Sequence, residues 1–70
     1  MEGRNERFKR IATRRTNNIL HQVRLLGNLS NKSTYDYSDE EISKIFSAIE
    51  GQLRLAKGKF HFTKKREFKL

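Results

Sequence analysis

The sequence predicts a mainly α fold: a two-helix antiparallel hairpin with a basic aromatic C-terminal tail, and dimerisation into a four-helix bundle as a second way to close its core. Three observations predict it. Apolar residues recur at helical spacing in two separate stretches, Phe8 to Leu29 and Ile42 to Ala56. Between them, Asn28 to Thr34 is dense in Asn, Ser and Thr, side chains that bond their own backbone and favour turns. The chain has no Pro to break a helix from within. At 70 residues it makes one domain at most, residues 1–70, with a marginal core. Two helices bury only one seam, so a folded-back tail or a second copy is needed to complete it.

The first helix is expected over residues 5–27. Phe8, Ile11, Ala12, Ile19, Val23, Leu26 and, beyond the expected end, Leu29 share one face. Asn5 is placed to cap it, with Glu6 in the first turn, where the helix dipole favours an acid. Arg15 falls inside the apolar stripe, either as a rim side chain with its head in water or as the partner of Glu40, Glu41 or Glu50. Gly27 followed by Asn28 suits a helix C-cap. The loop spans residues 28–37, with Leu29 as its anchor to the core and Tyr35 to Tyr37 as a brief extended piece.

The second helix, residues 38–58, has the plainest start signal. Ser38-Asp39-Glu40-Glu41 is a capping box, and Tyr37 and Ile42 are spaced for a hydrophobic staple across it. Ile42, Ile45, Phe46, Ile49, Leu53 and Ala56 form its apolar stripe. Glu40–Lys44 and Glu50–Arg54 are i,i+4 pairs in the favourable order. Gly51 costs about 1 kcal/mol relative to Ala mid-helix; a close helix approach or local flexibility would each account for it. Gly58 suits the stop. In the tail, residues 59–70, Phe60 and Phe62 alternate with polar neighbours. An extended piece and a helical continuation through Phe60 are both open there.

Charge is distributed in blocks. The formal net charge is +8. Residues 1–27 hold seven Lys/Arg against Glu2 and Glu6, residues 28–50 hold two against five acids, and residues 51–70 hold seven against Glu67. Two basic ends around an acidic middle make a polarised field, for which nucleic acid is the first partner class to consider. Anionic membrane and acidic protein come next. The membrane ranks last, because the apolar face of the basic helix lacks Trp and is committed to a core. No apolar run follows the N-terminus as in a signal peptide, so a cytoplasmic location is expected.

Little points to catalysis, and the expectation is a non-enzyme without cofactor. His21 and His61 lack Cys partners and zinc-site spacing. The four glycines make no phosphate loop. Asp36, Asp39, Glu40 and Glu41 are explained by a helix start without a metal. What remains is binding. Arg7, Arg10, Arg14, Asn17, His21 and Arg24 step by three or four, with Asn18 beside them, and so form a ribbon on the helix side away from the stripe. Arg supplies salt-dependent attraction to phosphates, and Arg and Asn are the side chains that pair with base edges. Lys59, Lys64, Lys65 and Arg66 beside Phe60, His61 and Phe62 offer a second contact, in which rings stack on unpaired bases. The opposing readings are a solvated charged face for the ribbon and a folded-back core plug for the two Phe. A helix-turn-helix does not fit, since the connection is long and the second helix begins acidic. The function expected is a nucleic-acid-binding accessory protein, for RNA or DNA. The alternative is an adaptor or inhibitor acting on a larger nucleic-acid-handling protein or ribonucleoprotein complex.

Arg24-Leu25-Leu26-Gly27-Asn28-Leu29-Ser30-Asn31, then Tyr35-Asp36-Tyr37, then Ile45-Phe46-Ser47-Ala48-Ile49-Glu50 resemble a group of small basic proteins of bacterial mobile elements, conjugative or phage-borne. The resemblance covers most of residues 5–60. It implies a bacterial cytoplasm and an accessory role in handling a mobile genome, and it assigns no functional residue.

Overall fold

A computed structural model describes residues 2–60, in two units that divide after Asp36. The first unit is α1, Arg4–Gly27, a helix of 24 residues, followed by a 3₁₀ turn over Asn28–Ser30. The second is α2, Asp39–Gly58, a helix of 20 residues. At about 1.5 Å per residue these are rods of about 36 and 30 Å.

α1 starts earlier than the sequence suggests. Its N-cap is Gly3, in an extended conformation (φ −80°, ψ 172°), so Asn5 lies within the first turn and caps nothing. The Gly3 N–H donates to Glu6 Oε1 at 3.3 Å, and the Arg7 N–H donates to the Gly3 carbonyl at 3.0 Å. Glu6 therefore does half the work of a capping box from inside the helix, and a glycine suffices at the cap because no cap side chain is used.

The far end lies where Gly27 and Asn28 predict it: Gly27 is the last helical residue and Asn28 the C-cap. Gly27 stays right-handed (φ −62°, ψ −26°), and the chain tightens into the 3₁₀ turn instead of reversing through a left-handed residue. The Asn28 N–H is shared among the carbonyls of Arg24, Leu25 and Leu26. Tightening thus satisfies carbonyls that a left-handed cap would otherwise have covered. The stop is Asn31, extended at ψ 101°. Its Oδ1 accepts from the Ser33 N–H at 3.0 Å and from the Ser33 hydroxyl at 2.7 Å. Its carbonyl accepts from the Thr34 and Tyr35 N–H groups at 3.1 and 2.9 Å. The Asn/Ser/Thr run is a turn built on one Asx side chain. Tyr35 and Asp36 continue it without helix or strand.

In the second unit the capping box forms as its sequence dictates. Ser38 Oγ accepts from the Glu41 N–H at 3.1 Å, and Glu41 Oε1 accepts from the Ser38 N–H at 2.8 Å. Tyr37 and Ile42, the staple pair, are half-buried beside it. The i,i+4 pairs do not close: neither Glu40–Lys44 nor Glu50–Arg54 reaches ion-pair distance. Both are exposed, and little is gained by fixing two long side chains in water. Gly58 is the last helical residue, and Lys59 stays right-handed (φ −70°, ψ −15°). Lys59 and Phe60 make one further tight turn, their N–H groups donating to Ala56 and Lys57 carbonyls at 3.1 Å each. The helical alternative through Phe60 is thus nearer the outcome than an extended piece.

Among the described residues none is buried. Within its own unit, each stripe has nothing to cover it, since a lone helix cannot bury its apolar face. Ile11, Ala12, Leu26, Ile42 and Ile49 are half-buried by their helical neighbours, while Phe8 and Leu53 are each 54% exposed. Leu29, expected to anchor the loop, sits in the 3₁₀ turn at 45% exposure and anchors to no core. Within its own unit, no described atom lies within 4 Å of a Cβ built on Gly51.

Candidate nucleic-acid interface

Helix geometry does place the predicted ribbon residues together. Arg7, Arg10, Arg14, Asn17, His21 and Arg24 alternate steps of three and four through α1. At about 100° per residue that spacing holds them within an arc of about 100°. All six are exposed. From first to last they cover about 25 Å of the helix axis. The centre of the apolar stripe lies on the opposite side, so α1 presents two chemically distinct faces. Arg15 is on the apolar side, exposed, and makes no ion pair within its own unit.

Arg7, Arg14 and Arg24 make no ion pair among the described residues. Arg10 does. Its Nε donates to Glu2 Oε2 at 2.9 Å, and its Nη2 donates to Glu2 Oε1 at 3.0 Å, a two-pronged, charge-assisted contact. The Glu2 hydrogen bond raises the Arg10 pKa further above the ordinary guanidinium range, and slight desolvation opposes it.

Sequence reasoning missed this contact. Helical pair rules look three or four residues away, whereas Glu2 lies eight residues back, before the helix begins. The signal was the lean of helical side chains toward the N-terminus, which carries Arg10 down toward a residue just outside the first turn. Leu25 was also passed over. It falls within the ribbon's arc near Arg24, exposed, and gives that end an apolar contact point.

Lys59, in the turn after α2, is exposed. Lys64, Lys65 and Arg66, with His61 and Phe62, lie outside the described residues. Among the described residues no three His, Cys, Asp or Glu gather to hold a metal ion. None of the described helices is long and apolar enough to cross a membrane. The concavity along Ser38, Glu41, Lys44 and Ser47 is open to solvent and mixed in charge.

No family model matches the chain, and no curated protein or solved structure is similar to it.

Proposed function

We propose that this protein is a small non-enzymatic nucleic-acid-binding accessory protein. One observation carries the reading: four arginines, Arg7, Arg10, Arg14 and Arg24, exposed along a single face of α1 with Asn17 and His21 between them. Arginine binds phosphate oxygens through a planar fork, and a row at this spacing follows a phosphate track. Asn17 and His21 reach toward base edges or sugar from the same track. Lys59, Lys64, Lys65 and Arg66 add a second basic contact. The uncovered stripes close in an antiparallel hairpin of α1 and α2, and two hairpins complete a four-helix bundle, leaving the ribbon outward. The setting that fits is a bacterial cytoplasm, in the service of a mobile genome.

The test is a gel-shift panel of single- and double-stranded RNA and DNA at two ionic strengths. Binding that weakens steeply with salt supports the reading. Equal binding by the parent and an Arg10→Glu/Arg14→Glu variant refutes it. A second reading is an adaptor docking on a larger nucleic-acid-handling complex. The exposed Phe46 and Leu53 on α2 favour it, because an apolar helix face is what a partner groove takes up. A pull-down that survives nuclease treatment separates the two.

A further inference from the structure

The Glu2–Arg10 contact stands on the ribbon itself. Glu2 lies one residue before the N-cap Gly3, so its side chain reaches back over the first turn while Arg10 leans down to meet it. Both oxygens of the carboxylate are engaged, at 2.9 and 3.0 Å, by one edge of the guanidinium. That edge is the one with which arginine grips the two non-bridging oxygens of a phosphodiester. The pair is at the surface, the Arg10 and Glu2 side chains being 54% and 37% exposed, so water and other anions have access to it.

We propose that Glu2 occupies, in the free protein, the phosphodiester position of Arg10, and that nucleic acid binds there by displacing it. The inference rests on the nucleic-acid reading of the ribbon and adds a built-in competitor to it. Arg7, Arg14 and Arg24 meet phosphate directly, whereas Arg10 exchanges one anion for another. The exchange makes Arg10 the least rewarding of the four arginines for a loosely placed polyanion. It also sets the position at which a phosphate must arrive with both oxygens aligned.

A fluorescence-anisotropy titration of labelled single- and double-stranded oligonucleotides tests this. The proteins are the parent, Glu2→Gln, Arg10→Gln, the double variant and Arg14→Gln, over a salt series, with helicity checked by far-UV circular dichroism. Glu2→Gln is expected to tighten binding by about two- to fivefold, the range for releasing a surface ion pair. It should also steepen the dependence of log K on log salt by up to about 0.7 to 0.9, because in the parent the released Glu2 carboxylate takes up a cation that offsets the one freed at the phosphate. In the Arg10→Gln background, Glu2→Gln is expected to change neither. If Arg14→Gln weakens binding but Glu2→Gln leaves it unchanged, the ribbon stands and the competitor is refuted. If Glu2→Gln tightens binding equally with and without Arg10, Glu2 acts through net charge alone and the displacement is refuted. If no probe binds the parent, the ribbon reading fails and takes the inference with it.

Discussion

α1 and α2 are similar in length and share a regular apolar stripe, yet they differ in what the rest of each helix offers. α1 carries seven bases against Glu6, whereas α2 carries four acids against three bases. The α2 cap is a closed reciprocal pair; that of α1 is a glycine served by one reaching carboxylate. The difference teaches a division of labour: α2 is built to hold a helical end firmly and present an apolar seam, α1 to present charge.

The sharpest way to break that division is charge reversal. Arg10→Glu with Arg14→Glu is expected to cost more than about a hundredfold in oligonucleotide affinity at low salt. The matched reversal on α2, Lys44→Glu with Arg54→Glu, should leave most of the binding in place. Equal losses from the two would erase the comparison.

Salt is the next lever. If Arg7, Arg10, Arg14 and Arg24 each neutralise one phosphate, a fourfold rise in salt should weaken duplex binding by about a hundredfold. A slope much shallower than about three in logarithmic terms would mean that the ribbon is not the contact surface.

Helix stability sharpens the comparison at smaller scale. Ser38→Ala removes the acceptor for the Glu41 N–H and should destabilise α2 by about 1 kcal/mol, read from thermal loss of ellipticity. Gly51→Ala should stabilise it by up to about 1 kcal/mol, because the added methyl meets open space. A loss instead would reveal a closely packed neighbour at that position. Asn5→Ala in α1 should be worth only a few tenths of a kcal/mol, and in the stabilising direction, since Asn5 caps nothing and Ala is the better helix former.

Features whose physics is local were legible in the sequence. The Ser38–Glu41 box and the Asn31 turn involve residues two to four apart, and both form as their side chains require. The ribbon was equally legible, because helical spacing fixes its face. The way a helix ends was less legible than its place, because two solutions compete for the same backbone groups. Gly27 permits a left-handed cap, but the carbonyls before it are satisfied just as well by tightening. At the start, Glu6 serves more than the dipole, since it also receives the Gly3 N–H and the helix begins at Arg4. The favourable i,i+4 pairs of α2 were readable as opportunities, but water competes for both partners. Glu2–Arg10 was not readable by spacing rules, because one partner lies outside the helix.

The uncovered seams have a consequence for how copies of this chain treat one another. A net charge of +8 opposes the pairing of hairpins in dilute buffer, although Phe8 in the first unit and Phe46 and Leu53 in the second are exposed within their own units. Added electrolyte shortens the reach of that repulsion to about 10 Å at 0.1 M and leaves the pull between hydrocarbon surfaces largely intact. The ionic condition that loosens the grip on a polyanion should therefore encourage the protein to associate with itself. One variable would then trade one kind of company for another.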